Sequence, residues 1–116
     1  MKFIRQQFET VYNKVLNDTK LSFEEFLIFL MGYGEIEFVH KYKKYMMFRL
    51  NDDYSSGKDK IRDESKCYYA FGEYAYEQPT LEQRYKTIEE FALKANIKGR
   101  LLKNIWNEIS DVNPLD

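Results

Sequence analysis

Apolar residues change their spacing at Gly32-Tyr33-Gly34, and this change restricts the possible fold class more than any other feature. Before it, apolar side chains recur every three or four residues, which is typical of a helix with one buried face. After it, Ile36 and Phe38 alternate with charged residues, which is typical of a strand. Because such helices and strands bury their apolar faces against each other, the sequence predicts an α+β fold.

The N-terminal third is predicted to form two helices. Residues 3–17 have apolar side chains along one helix face, at Ile4, Phe8, Val11, Tyr12, Val15 and Leu16. Ser22 and Glu25 have the spacing of a capping box, in which both side chains accept hydrogen bonds from backbone N–H groups. A second helix should begin there and end at Gly32-Tyr33-Gly34. Its predicted buried residues are Phe23, Phe26, Leu27 and Leu30.

The middle of the chain is predicted to form a three-stranded antiparallel meander. Residues 35–39 and 44–50 have strand-like patterns and should form a hairpin that turns near residues 41–43. Residues 51–66 are polar and are predicted to be an exposed loop. Residues 67–76 are rich in aromatic side chains and should form the third strand, with Gly72 as a candidate bulge.

Two further helices are predicted at the C-terminal end. Thr87 and Glu90 have capping-box spacing, and Ile88, Phe91 and Ala92 follow at helical positions. Residues 96–99 are interpreted as a tight link to a fourth helix. Its predicted apolar face is Leu101, Leu102, Ile105, Trp106 and Ile109. Residues 111–116 are expected to fray, so the predicted layout is a three-stranded sheet flanked by two N-terminal and two C-terminal helices.

Length and composition predict one small, soluble, cytoplasmic domain. The 116 residues suffice for one core, since domains typically contain roughly 100–150 residues. Cys67 is the only cysteine, which excludes an internal disulfide and favours a reducing compartment. The N-terminus becomes polar too early for a signal peptide, and the longest apolar run is far too short to cross a membrane.

Residues that could carry catalysis are few. His40 is the only histidine, so a histidine pair for zinc cannot form, and it is interpreted as a partly exposed turn residue. Cys67 is interpreted as a small core residue. The acid pairs Asp52-Asp53 and Asp63-Glu64 lack the spacing of a calcium-binding loop. The sequence therefore predicts no enzymatic activity, no metal and no cofactor.

Two stretches are candidate binding surfaces. Lys41, Lys43 and Lys44 are interleaved with tyrosines, a pattern that suits single-stranded nucleic acid, where cations contact phosphates and rings stack on bases. The net charge of −1 provides no overall attraction to nucleic acid. Nucleic-acid binding by a small regulator is therefore kept as an alternative.

The third predicted strand is the leading candidate for a protein contact. Tyrosine is common at interfaces because its ring is large and rigid and its hydroxyl tolerates water. The candidate contact residues are Tyr68, Glu73, Tyr74, Tyr76 and Glu77. If helices cover only one face of the sheet, this strand forms an acidic aromatic surface for a basic partner. If helices cover both faces, these tyrosines belong to the core.

Two segments resemble a pattern found in small accessory proteins of phages and other mobile elements of low-GC Gram-positive bacteria. The first is Glu35-Ile36-Glu37-Phe38 with Lys43-Lys44-Tyr45, where Lys41-Tyr42 occupies the turn that is usually Asn-Gly. The second runs from Tyr85 to Phe91 and on through Ile97 to Ile109. The resemblance implies a small protein that binds and blocks a larger bacterial protein. It favours an anti-CRISPR protein that inhibits a Cas nuclease over an immunity protein that neutralises a toxin.

Overall fold

The computed structural model describes residues 2–51, 67–74 and 81–115 and has the predicted α+β architecture. The α-helices are α1 (Arg5–Leu16), α2 (Phe23–Tyr33) and α3 (Ile88–Lys94). The strands are β1 (Glu35–His40), β2 (Lys43–Asn51), β3 (Cys67–Glu73), β4 (Gln83–Tyr85), β5 (Asn96–Ile97), β6 (Arg100–Leu101) and β7 (Ile109–Pro114). In the described part of the chain, no helix is long and apolar enough to cross a membrane.

The two N-terminal helices form at the predicted places, and Phe26, Leu27 and Leu30 are buried as predicted, whereas Phe23 is half-buried. Ser22 Oγ accepts a hydrogen bond from Glu25 N at 3.1 Å, and Glu25 Oε1 accepts one from Ser22 N at 2.9 Å, so the capping box of α2 is complete. The Lys14 ammonium pairs with the Glu25 carboxylate and links α1 to this cap. Gly34 ends α2 with φ +86°, a left-handed conformation that glycine adopts without strain.

The main sheet is antiparallel, with the strand order β4-β3-β2-β1-β7 over the described residues. Its three central strands are the predicted meander, but β4 and β7 were not predicted. Gly72 lies opposite Met46 in a continuous register, so the predicted bulge at Gly72 is wrong. The irregularity lies instead between β1 and β7, where the register shifts between Glu37 and Val39. Asp111 has φ +56° at this point, a conformation that Asp tolerates better than most residues.

The hairpin between β1 and β2 turns at the predicted place with only Lys41 and Tyr42 between the strands. These residues have φ +47° and φ +70°. Two positive φ values define the type I′ turn that matches the twist of a hairpin, and Asn-Gly is its preferred sequence. A lysine and a tyrosine in these positions are strained because their Cβ atoms crowd the backbone.

The predicted fourth helix is wrong. Lys98 and Gly99 both have positive φ and reverse the chain between β5 and β6, and two short 3₁₀ turns, Leu102–Asn104 and Trp106–Glu108, then lead into β7. The helix-like spacing of the apolar residues arises because successive 3₁₀ turns also bury one side. The prediction of a frayed tail is wrong for residues 111–115, since β7 pairs with β1 and Leu115 N donates to Glu35 O at 2.9 Å.

All the described α-helices contribute to one side of the main sheet. The Phe26 ring of α2 lies 6.0 Å from the Phe38 ring of β1 and 6.2 Å from the Phe91 ring of α3. The Phe91 ring in turn contacts Phe71 of β3. The strand residues in this core share one side of the sheet by register. Coverage of both faces by helices, the structural alternative raised by the sequence, is therefore wrong over the described residues.

Candidate functional site

The sheet face opposite the α-helices, here called the outer face, is the candidate functional surface. Its members are set by register, because residues that pair across antiparallel strands point to the same side. They are Glu35, Glu37 and Val39 of β1, Lys44, Met46, Phe48 and Leu50 of β2, Tyr68, Ala70 and Gly72 of β3, Arg84 of β4, and Ser110 and Asn113 of β7. Met46 and Ala70 are buried at its centre, whereas Phe48, Leu50 and Tyr68 are half-buried.

One end of the outer face is formed by Tyr74, which directly follows β3. Tyr74 N donates a hydrogen bond to Lys44 O at 2.8 Å and so continues the pairing of β3 with β2. Lys44 Nζ lies 5.4 Å from the centre of the Tyr74 ring and 3.5 Å from Glu37 Oε2. A tyrosine ring, a cation and a carboxylate therefore lie side by side, and the ammonium interacts with both the ring face and the acid.

The other end has a second pair of a tyrosine and a cation. Arg84 Cζ lies 5.7 Å from the centre of the Tyr68 ring. Since a guanidinium can stack on an aromatic face, both tyrosines of the outer face have cationic partners. The apolar residues Met46, Phe48 and Ala70 lie between these two ends by register. Met46 and Ala70 form the buried floor between the two ends, and the half-buried Phe48 and Leu50 provide its accessible apolar surface.

The structure joins residues that the sequence placed on two competing surfaces. Lys43 Nζ lies 3.8 Å from Glu73 Oε1, and Lys44 contacts Tyr74. The basic hairpin and the acidic aromatic strand are therefore adjacent, but by register Lys43 and Glu73 lie on the helix side of the sheet, whereas Lys44 and Tyr74 lie on the outer face. Arg84, which the sequence did not single out, belongs to it through β4. Tyr76 and Glu77, also predicted as contact residues, lie outside the described residues.

Each lysine of the basic hairpin has an acidic partner. Lys41 Nζ lies 3.6 Å from Glu108 Oε1, Lys43 pairs with Glu73, and Lys44 pairs with Glu37. These lysines are solvent-exposed, so each pair contributes little to stability. The carboxylates nevertheless cancel much of the positive potential that a phosphate backbone requires. The tip of the hairpin, Tyr42, is fully exposed, with a relative accessibility of 102%.

His40 is buried, so its interpretation as a partly exposed turn residue is wrong. Only 6% of the residue is accessible, and His40 Nε2 lies 3.1 Å from Glu108 Oε1. Arg100 holds the same carboxylate through Nη1 at 3.3 Å and Nη2 at 2.8 Å. The sequence did not reveal this cluster, because β7 must pair with β1 before Glu108 reaches His40. This cluster of side chains connects the end of β1 to the two C-terminal 3₁₀ turns.

The cations around Glu108 make it an unusually strong acid. Hydrogen bonds from the Arg100 guanidinium and then from His40, with the nearby Lys41 ammonium, lower the pKa of Glu108 to about 2. The folded state thus prefers the ionised carboxylate, whereas the unfolded chain binds a proton at the ordinary pKa of about 4.5. The stabilisation is complete above the unfolded pKa and is lost as the pH falls from about 4.5 to about 2.

We expect Glu108→Gln to abolish this part of the acid sensitivity. Thermal unfolding midpoints of the wild type and the variant should differ most near neutral pH and converge as the pH falls through the window between the two pKa values. Comparison with Glu82→Gln, a change at an exposed carboxylate, controls for the loss of one negative charge. A constant difference between wild type and Glu108→Gln down to pH 2 would show that the carboxylate is not stabilised by its cations.

Of the remaining candidates for chemistry, the acid pairs Asp52-Asp53 and Asp63-Glu64 lie outside the described residues. Cys67 is buried at the start of β3, as predicted for a core residue. In the described part of the chain, no three His, Cys, Asp or Glu side chains are grouped so that they could hold a metal ion. Compared with models of known protein families, with curated proteins and with solved structures, the chain has no significant match.

Proposed function

We propose that this protein is a non-enzymatic inhibitor that binds and blocks a larger bacterial protein through the outer face and the adjacent hairpin. The observation that carries the proposal is the contact of Lys44 with both Tyr74 and Glu37, on a sheet face opposite the helices. From the resemblance to accessory proteins of mobile elements, the preferred partner is a Cas nuclease, and the activity is that of an anti-CRISPR protein.

The chemistry of the outer face suits a protein partner. Half-buried tyrosines, an arginine and apolar residues are the types enriched at the centres of interfaces. The Tyr68 and Tyr74 rings contact Arg84 and Lys44, and these contacts restrict part of the side-chain freedom that would otherwise be lost on binding. The mixed charges around them favour a partner with complementary charges over a uniformly charged polymer.

The conformation of Tyr42 supports a contact at the hairpin tip. This residue keeps a positive φ and is fully exposed. Backbone strain of this kind costs roughly 1–3 kcal/mol per residue and is concentrated at functional sites. A contact between the Tyr42 ring and the partner explains why the strained conformation is kept, since tyrosine is among the residues that contribute most to the free energy of binding.

The first experiment is affinity capture from lysates of a low-GC Gram-positive bacterium, with and without nuclease treatment. We expect one larger protein to be retained after treatment and its activity to be inhibited at equimolar ratio without turnover. A Cas nuclease supports the anti-CRISPR activity, and a toxin supports the immunity alternative. Recovery of nucleic acid alone, lost on treatment, would contradict the inhibitor and support the regulator.

The contact surface is tested on the captured partner by measuring dissociation constants. We expect Tyr68→Ala and Tyr74→Ala each to weaken binding about 30-fold or more, which corresponds to about 2 kcal/mol for an interface anchor. Leu93→Ala, at an exposed position of α3, is the matched control and should bind as the wild type does. Wild-type affinity of both tyrosine variants would place the interface elsewhere.

The nucleic-acid alternative is tested by removing the hairpin charges. Lys41→Gln, Lys43→Gln and Lys44→Gln avoid placing new acids beside Glu37, Glu73 and Glu108. If these lysines contact phosphates, the triple variant should lose affinity for single-stranded DNA and its binding should depend less on salt. The inhibitor proposal expects no tight binding of DNA by the wild type and a smaller effect on the protein partner than the tyrosine variants produce.

A further inference from the structure

A groove of about 540 Å³ lies at the β7 edge of the main sheet. One wall is the connection between α1 and α2, Asp18–Leu21, and the other is the first part of β7, residues 109–113. Trp106, which is mostly buried, lines the groove between them, and its Nε1 donates to Leu21 O at 2.8 Å. The volume lies within the range of roughly 300–1,000 Å³ that is common for ligand pockets.

The groove runs along a strand edge. β7 pairs with β1 on one side, and no described strand pairs with its other side. Unpaired backbone N–H and C=O groups at a strand edge can hydrogen-bond an extended peptide, which then adds to the sheet. The bulge at Asp111 and the proline at 114 interrupt a long continuous ladder, so this edge suits a short segment better than another sheet.

The charges that line the groove favour a basic ligand. Asp18 and Asp111 line opposite walls, and neither forms an ion pair with a described residue. Glu108 also lines the groove, but its carboxylate already forms ion pairs with Arg100 and Lys41. Among the described residues Lys20 is the one cation in the lining, and its ammonium donates to Asn107 O at 3.3 Å. Two aspartates without a cationic partner in the described part of the chain therefore face the groove.

We propose that the groove binds a short, extended, basic peptide segment of a partner protein, which adds to the free edge of β7. Its backbone hydrogen-bonds to the strand, and an Arg or Lys side chain pairs with Asp18 and Asp111. Apolar side chains at alternate positions pack toward Leu21 and Trp106. Ser110 and Asn113 of the groove pair with Val39 and Glu37 of the outer face, but the groove is lined by none of the tyrosines and cations proposed as inhibitor contacts, so it is a second docking site and does not depend on the proposed inhibition.

The test uses the peptide acetyl-Val-Arg-Val-Arg-Val-amide and the full-length ¹⁵N-labelled protein. We expect saturable NMR shifts of the backbone amides of residues 18–21 and 109–113. The matched peptide acetyl-Val-Glu-Val-Glu-Val-amide should bind at least about ten-fold more weakly, because its charges repel those of the groove. Absence of saturable shifts in these segments, or equal affinity for both peptides, would overturn the proposal.

Substitutions separate the groove from the outer face. Asp18→Asn and Asp111→Asn remove the charges and keep the backbone, since asparagine tolerates positive φ as aspartate does. The double variant should bind the basic peptide about ten-fold more weakly, whereas Tyr74→Ala should bind it as the wild type does. Unchanged binding by the double variant would overturn the assigned contacts. If Tyr74→Ala no longer binds the captured partner and the double aspartate variant still does, the partner binds through the outer face and not through the groove. The proposed function then holds without the groove.

Discussion

Replacing Phe26 by alanine should lower the free energy of unfolding by about 3–5 kcal/mol, the cost of removing a buried phenylalanine ring. The residue is fully buried, and its ring centre lies 4.6 Å from that of Trp106. It also contacts Phe38 of β1 and Phe91 of α3. Because one ring joins α2 to the sheet, to α3 and to the C-terminal turns, its loss leaves a cavity that no single element can close.

Thermal unfolding followed by circular dichroism provides the measurement. For a chain of this size, the expected loss corresponds to a decrease of roughly 10–20 °C in the midpoint. Fluorescence of Trp106, the only tryptophan, should report the same transition. Leu93→Ala, at an exposed helical position, should shift the midpoint by only a few degrees. A decrease for Phe26→Ala no larger than this control would contradict the packing described here.

Replacing Lys41-Tyr42 by Asn-Gly should stabilise the protein and weaken its proposed function. Both residues have positive φ in a two-residue turn, and Asn-Gly is the sequence that this turn prefers. Relief of the strain should raise the free energy of unfolding by about 1–2 kcal/mol, after the small loss of the exposed contact between Lys41 and Glu108. Removal of the Tyr42 ring should at the same time weaken the captured partner's binding.

Tyr42→Ala separates these two effects. Alanine removes the ring but retains the unfavourable φ, so this variant should bind the partner as weakly as the Asn-Gly variant without the gain in stability. The two quantities to compare are the midpoint of thermal unfolding and the dissociation constant for the captured partner. An Asn-Gly variant that is no more stable than the wild type would contradict the strained turn. Full affinity of Tyr42→Ala would exclude Tyr42 as a contact.

The parts of the fold that depend on neighbouring residues were predictable from the sequence. The capping box at Ser22 and Glu25, the end of α2 at Gly34 and the hairpin at residues 41–42 all form by interactions within a few positions. The helix that the sequence predicts for the C-terminal region does not form, because apolar residues spaced over residues 101–109 fit a helix and a pair of 3₁₀ turns almost equally well. Long-range contacts, such as that of Trp106 with Leu21, distinguish these alternatives.

The candidate site was likewise predictable only in part, since the sequence gives the residue types but not the contacts between strands. Lys43, Lys44, Glu73 and Tyr74 could be identified as surface candidates from their residue types, but the pairing of β2 with β3 decides which of them meet: Lys44 contacts Tyr74 on the outer face, and Lys43 contacts Glu73 on the other side. Arg84 joins the outer face only because β4 pairs with β3. No pattern within a few residues of the sequence predicts the pairing of β2 with β3 or that of β4 with β3.

By itself, the sequence determined the α+β class, the N-terminal helices and the central meander, because hydrophobic period, caps and turns act over short distances. The tertiary structure alone decided that the helices share one face, that β7 completes one end of the described sheet and that His40 meets Glu108. These features join residues far apart in the chain. Their pairing depends on which buried surfaces and charges fit together once the whole core has formed.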